Sequence, residues 1–478
     1  MRSLLLAALA AVIFAAPGVT EEPVTFTARS GDSVEAFQGV FEVPENRANP
    51  DSRMISIGYV RFPALEGAEG PPIVYLAGGP GGSGTGTARG RRFDLFMQMR
   101  AHGDVIAFDQ RGTGLSDNDL PTCHSSVFLP DAAPVSDVDY AQAYRRAITE
   151  CGAFWRTEGV EIDGYTTLES VADISALREH LGAEQVTLWG ISYGSHLAMA
   201  ALNAIPEEID RVVIASAEGL DQTVKLPART NAYFARLQAA VNAQPAARAA
   251  YPDIEGLMRR VQSRLAEDPM LVEVPQEDGS TQPFLLQRRH AQQLASALIS
   301  DPENAAMLLA IYASLDRGET GPAAGMIARW HRFGEPIRLR PMSTAMDMAS
   351  GVSEARLALY QAQEADGLAG GYLNFPMPQA RGVWPGFDLG EAFRDGPYGD
   401  TPVLLLSGTL DGRTYVESQA EALAGMENVT TVIVRHAGHN LFMENDQVHA
   451  VIHRFMRDEP VGAGEILADL PDFTASPF

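Results

Sequence analysis

Cysteine is nearly missing from this chain: Cys123 and Cys151 are the two among 478 residues. That excludes a disulfide-dense scaffold, and there is no Cys-x-x-Cys spacing to hold zinc. His-Glu-x-x-His is also missing and the ten histidines are scattered, so no metal site is expected. Positive charge is scarce: 36 Lys and Arg stand against 61 Asp and Glu, a formal net charge of −25. So acidic a surface repels phosphate backbones and anionic lipid headgroups, which excludes nucleic acid and membrane surfaces as partners. Beyond residue 20, no apolar run approaches the roughly 18 residues that cross a bilayer, and a soluble mature protein without stable membrane insertion is expected.

The first 20 residues read differently. Arg2 precedes an apolar run from Leu4 to Ala16, followed by Pro17, Gly18 and the acidic pair Glu21 and Glu22. One positive charge, a short apolar stretch and small residues are the pattern of a secretory signal peptide over residues 1–20, and predict a secreted or periplasmic protein. In an oxidising compartment the lone cysteine pair is most simply a disulfide between Cys123 and Cys151.

Residues 23–62 carry β-rich stretches separated by turn residues, an antiparallel opening. Short runs that are apolar throughout follow: "PPIVYLA" (71–77), "DVIAF" (104–108), "QVTLW" (185–189), "RVVIASA" (211–217), "TPVLLLSG" (401–408) and "VTTVIVRHAG" (429–438). Separated by helical patterns, such runs indicate an α/β fold with a mainly parallel sheet and helices on both faces. One helix has clear bounds. Thr166 caps it with Glu169 three residues on, Val171, Ile174, Leu177 and Leu181 form its stripe, and Gly182 ends it. Residues 221–394 read as a helical cap inserted in a discontinuous core of 23–220 and 395–457, and residues 458–478 as an acidic peripheral tail.

"GISYGS" places Ser192 between Gly190 and Gly194 where an apolar run gives way to a helical one. A strand that turns abruptly into a helix strains the turning residue, and glycines on either side avoid collisions with the neighbouring strand and helix. The serine then stands above the sheet edge, with the next backbone N–H at a helix N-terminus where negative charge is favoured. A serine hydroxyl needs a base, and this arrangement predicts the chain order serine, acid, histidine. Asp411 follows one strand and His439 the next; His436 is the alternative base and Glu218, after "RVVIASA", the alternative acid. The N–H groups of Tyr193 and Gly79, or Gly78 in its place, are the expected oxyanion donors.

The glycine-rich loop has a second reading. Gly79 to Gly84 fits G-x-G-x-x-G after a strand, and Asp109 ends the next strand, the outline of a dinucleotide site. A proline inside the turn, the export signal and an unexplained serine elbow weigh against it. No lysine follows the glycines, which excludes a nucleotide P-loop. No cofactor is expected.

"YLAGGPGGSG", "FDQRGTGLS", "GISYGS" and "AGHN" together resemble α/β-hydrolases of the prolyl aminopeptidase and tripeptidyl aminopeptidase group; "GVFEVPEN" and "VWPGF" are similar to the tripeptidyl branch. The resemblance covers roughly residues 38–220 and 395–455. It implies the α/β-hydrolase fold, the triad and a helical cap over the site, and the paired cysteines suit that branch. Ala77 departs from it, standing where many relatives have histidine. The resemblance also implies acids that hold a substrate's free α-ammonium, since a buried cation needs a partner; Glu218, Asp347 and Glu354 are the candidates. Asp109 and Arg111 of "DQRG" are read as ties between loops. The expected function is an exported serine hydrolase releasing short N-terminal peptides. A carboxylesterase with the same triad, or a catalytically silent binding protein of the same fold, is the alternative.

Overall fold

The computed structural model describes residues 21–462 and 464–475. The signal-like segment 1–20 lies outside them. The strands in chain order are β1 (Glu21–Thr27), β2 (Ser33–Pro44), β3 (Met54–Phe62), β4 (Ile73–Leu76), β5 (Val105–Phe108), β6 (Cys123–His124), β7 (Val186–Ser192), β8 (Ile209–Ala217), β9 (Met270–Pro275), β10 (Thr281–Leu286), β11 (Arg338–Leu339), β12 (Val403–Gly408), β13 (Val429–Arg435) and β14 (Ile466–Leu467). Ten of them form one sheet in the order β1-β2-β3-β5-β4-β7-β8-β12-β13-β14. The β1-β2-β3-β5 edge is antiparallel, and every pairing from β5 through β4 to β14 is parallel.

Both faces of the sheet are covered at its middle, which is why β4, β5 and β12 are apolar and buried at nearly every position, whereas β1 and β2 at the edge alternate with exposed residues. Along β4, Val74 and Leu76 join one core with the helices Thr167–His180 and Tyr193–Ala204, while Ile73 and Tyr75 join the core on the other face. Thr166 caps the helix before the serine strand as its sequence implies, accepting from the Glu169 backbone N–H at 3.2 Å. The chain ends differently from expectation. Instead of remaining peripheral, residues after 457 add β14 to the sheet edge and bury Phe473, because apolar side chains punctuate that acidic stretch.

Between β8 and β12 the chain leaves the sheet and builds mainly helices with their own apolar core, from Tyr233 to Leu373. The region is not wholly helical. β9 and β10 form an antiparallel hairpin around Asp278-Gly279, which the helical reading of this segment passed over. Leu410 and Tyr415, from the loop after β12, belong to the same core, so the inserted region grips that loop from above. β6 pairs with β11 and ties the insertion to the segment that carries Cys123. Among the described residues no helix is long and apolar enough to cross a membrane.

Cys123 and Cys151 are bonded, with their Cα atoms 5.5 Å apart and a sequence separation of 28. The bond fastens β6 to the long helix Asp137–Thr157. A closed loop of this size contributes roughly 3–4 kcal/mol by restricting the unfolded chain. A Cys123→Ala/Cys151→Ala protein is expected to lose about that much unfolding free energy, measured by urea denaturation against the oxidised wild type.

Candidate active site

β7 lies at the centre of the parallel strands, between β4 and β8, and Ser192 is its last residue and the cap of the helix Tyr193–Ala204. Ser192 has φ 57° and ψ −129°, a backbone conformation that costs about 1–3 kcal/mol and persists only when its surroundings enforce it. A Cβ on Gly190 would fall 2.6 Å from the Gly194 carbonyl oxygen, and one on Gly194 only 2.0 Å from that of Leu76. Glycine at both positions is therefore what lets the strand, the helix and β4 come together. On the neighbouring loop a Cβ on Gly78 would meet Ser192 Cβ at 3.0 Å.

Asp411 stands in the loop after β12 and is fully buried. Its carboxylate accepts from the backbone N–H of Arg413 at 2.7 Å and of Thr414 at 2.8 Å, and from the Thr414 hydroxyl at 2.6 Å. His439 follows β13, with Nδ1 3.0 and 3.1 Å from the two Asp411 oxygens. Burial opposes ionisation of Asp411, but the adjacent imidazole and the Thr414 hydrogen bonds outweigh it and hold the carboxyl below its usual pKa. With Nδ1 engaged by the acid, Nε2 is the nitrogen left to act as base. The His439 backbone is pinned as well, its N–H donating to Ser300 at 2.7 Å and its carbonyl accepting from the Ser216 hydroxyl at 2.8 Å.

Ser192 and His439 line one cavity of about 500 Å³, together with Gly78 and Gly79. The glycine loop is held from behind by Gln110, whose amide donates to the Ala77 carbonyl at 3.0 Å. Tyr193 opens the helix after the serine, so its backbone N–H has no intrahelical acceptor. The arrangement brings a serine hydroxyl, an imidazole held by a carboxylate and the glycine loop to one opening. Ser296 and Ala297 also line a second cavity of about 380 Å³, walled by Tyr140, Tyr144, Tyr372 and Phe375.

The other sequence candidates fall in different places. His436, the alternative base, turns its Nδ1 to the Ala468 carbonyl at 3.2 Å, away from the cavity. Glu218, the alternative acid, pairs with Lys225 at 2.8 Å. Glu218 and Asp347 form one group with Lys225: burial and the Glu218 charge raise the Asp347 pKa to about 7, while Lys225 and His196 overcome burial to keep Glu218 low. Both carboxylates act on Tyr193, yet neither lines the cavity at Ser192. Glu354 does not join them. It lies at the surface, ion-paired with Arg381, because its helix turns that face outward. Asp109 is spent on Ser83, Thr85 and the Leu115 backbone, and Arg111 on Asp173, Glu169 and two backbone carbonyls. "DQRG" thus ties loops together, and the Asp109 carboxylate is committed within the glycine loop itself.

Sequence reasoning missed Thr414, Arg413, Arg92, Asn440 and Lys225. The "TLDGRTY" stretch held a signal for the first, since a hydroxyl three residues after an aspartate is placed to bond back to it. Lys225 had one too: it is the only lysine in the chain. Arg92 reaches the cavity from a loop far from the others in sequence and leaves no local mark, while Asn440 stands beside His439 in "AGHN" and meets Arg92 only through the fold. Removing the Thr414 hydroxyl leaves the Asp411 carboxylate one donor short. Thr414→Val is expected to raise the folded-state pKa of Asp411 toward its unfolded value. The stability that the low pKa contributes at pH 7, normally lost as pH falls below the unfolded pKa of about 3.9 through the folded value, then shrinks. Thermal melts should show the variant less stable at pH 7, with the gap closing below that range.

Two family models match this chain: "alpha/beta hydrolase fold" over residues 71–265 and "TAP-like protein" over 382–465. The sequence is 30% identical over 190 residues to a tripeptidyl aminopeptidase of Streptomyces lividans, covering 37% of this chain and 34% of that one. It is 27% identical over 185 residues to the serine protease Hip1 of Mycobacterium tuberculosis, covering 37% and 35%. With a proline iminopeptidase of Arabidopsis thaliana it shares 29% over 146 residues, 30% and 26% of the two chains. The chain therefore spans about a third or less of the length of these curated relatives. The sheet order, the elbow at Ser192 and these similarities make the protein a member of the α/β-hydrolase family, with distant aminopeptidase-like homologues.

Proposed function

We propose that this hydrolase is an exported serine peptidase that releases short peptides or residues from a free N-terminus. The observation that carries the reading is the joint placement of Ser192 and His439 on one cavity with Asp411 bonded to His439. In the proposed cycle His439 takes the Ser192 proton as Oγ attacks the scissile carbonyl carbon. The N–H groups of Tyr193 and Gly79 receive the resulting oxyanion. The C–N bond breaks, the leaving amine takes the proton from His439, and an acyl-enzyme remains. A water deprotonated by His439 then attacks the ester, and the acid departs as Ser192 recovers its proton. Asp411 holds the imidazole tautomer throughout.

The proposed partners of the substrate's ammonium are Asp347 and Glu218, which lie together beside Tyr193 behind the lining of the cavity, with Lys225 already on Glu218. Export is supported by the signal-like segment 1–20. The aminopeptidase names of the distant relatives favour peptides; the same triad would also serve a carboxylesterase, and a catalytically silent binding protein keeps the fold without the turnover.

The test compares a short peptide anilide with its N-acetylated twin. The free amine should be strongly preferred and Ser192→Ala inert while still folded. Equal rates for the two, or cleavage of simple esters alone, would move the assignment to an esterase. An active Ser192→Ala would sink the nucleophile itself. Failure of Ser192 to react with an organophosphonate would indicate the silent protein. Asp411→Asn is expected to lower kcat by about 10⁴, and Glu218→Gln to leave His439 oriented.

The pKa of Asp347 adds a pH signature. Its carboxyl ionises near pH 7, whereas a peptide α-amine stays protonated to about pH 7.7. KM for the free-amine peptide should therefore fall as pH rises from about 6 to about 7.5, and Asp347→Asn should abolish that fall.

A further inference from the structure

The cavity at Ser192 is lined by two arginines, Arg92 and Arg413. Arg92 is buried. Its guanidinium donates to the Tyr75 hydroxyl and, at 3.0 Å, to the Asn440 side-chain oxygen. Asn440 turns its own amide to Asp301 at 2.9 Å, so that carboxylate is engaged one residue away from Arg92. Arg413 is half-buried and its side chain donates to Ser296 alone, to the carbonyl at 3.1 Å and the hydroxyl at 3.4 Å. Glu218 and Asp347 feel the charge of Arg413 through space without bonding to it. Among the described residues, neither arginine has a carboxylate within ion-pair distance.

The chain has 61 acidic residues for 36 basic ones, and some buried arginines find carboxylates: Arg111 has Asp173 and Arg394 has Asp388. Buried Arg289, held by the Val135 carbonyl and the Tyr140 ring, has none among the described residues, so what sets Arg92 and Arg413 apart is that they line the cavity at Ser192. A buried cation with neutral partners only is costly unless an anion arrives to complete it. A guanidinium has five N–H donors, and the contacts named here leave several of them open on each arginine. The surroundings extend the field. A hollow of about 800 Å³ shares Thr87, Arg92 and Asn440 with the catalytic cavity, and Arg29 and Arg91 stand exposed in it, beside Asp32 and Asp94.

We propose that the cavity is built for an anionic substrate, with Arg92 and Arg413 binding a carboxylate carried by the molecule being cleaved. The inference rests on the reading of Ser192 as the nucleophile of this cavity. It adds a substrate class: a short peptide whose leaving portion ends in a free carboxylate, or an acyl group that bears one. The two arginines are specificity-determining residues and take no part in bond breaking.

Two matched pairs test it on the whole protein. One pair is a short peptide with a free C-terminal carboxylate and its carboxamide. The other is the p-nitrophenyl half-ester of glutaric acid and its neutral methyl-capped counterpart. In at least one pair the charged member should be favoured about tenfold or more in kcat/KM, as expected for a charge-assisted contact. That ratio should fall toward one in Arg413→Gln, whose fold is checked by thermal melting, and in Arg92→Gln if that buried change folds. Preference in the peptide pair places the carboxylate on the leaving group; preference in the ester pair places it on the acyl group. Equal rates within both pairs, or a preference that survives Arg413→Gln, would overturn the proposal. If no peptide is cut while the charged ester is preferred, the peptidase reading fails and the anion site stands. If neither pair is hydrolysed, glutarate should still slow labelling of Ser192 by a neutral fluorophosphonate, and lack of protection overturns the proposal.

Discussion

Everything at the catalytic edge depends on one close approach: β4, β7 and the helix after Ser192 meet with no room for a side chain between them. Gly194 lies against the Leu76 carbonyl and Gly190 against Gly194, so the chain can reverse from strand to helix within a single residue. The strain is concentrated in Ser192, whose positive φ lifts its side chain off the sheet. Loosening that packing would relax the serine into an ordinary turn. The same proximity brings Gly78 beside Ser192, so the glycine loop and the serine are set by one constraint.

The acid and base arrive by a different route. β12 and β13 are neighbours on the far side of β8, and each ends in a loop at the same edge as Ser192. Asp411 is stabilised by hydrogen bonds from its own loop, and that loop is anchored by Leu410 and Tyr415 in the core of the inserted region. The insertion therefore does more than roof the cavity: its packing fixes the carboxylate that orients His439. Ser300, from the same region, accepts from the His439 backbone. Disturbance of the insertion should reach Asp411 and His439 through these contacts, along a packed and hydrogen-bonded path.

Charge is distributed in opposition to the whole. The protein is strongly acidic, yet its catalytic cavity presents guanidinium groups without carboxylate partners, and its single lysine sits against buried acids behind the elbow. Low local dielectric makes each of these charges count for more than one at the surface.

Much of this was legible in the sequence because it depends on local geometry or on short-range periodicity. Apolar runs of strand length declare a sheet buried on both faces, and Gly-x-Ser-x-Gly between a strand and a helix declares the elbow, since only glycine fits there. The order Ser192, Asp411, His439 is legible because Ser192 ends its strand and the other two stand in the loops that follow theirs. The hairpin of β9 and β10 was obscured by helical neighbours, and burial of Phe473 by the acidic residues around it. By itself the sequence determined the fold class and the strand-to-helix turn at Ser192, and it pointed to the loops that carry Asp411 and His439. Tertiary structure alone decided that His439 and not His436 meets Asp411, that Glu354 faces outward while Glu218 and Asp347 converge, and that Arg92 and Arg413 share the cavity. Those outcomes depend on how loops far apart in sequence pack at one edge of the sheet, and no local pattern encodes such long-range packing.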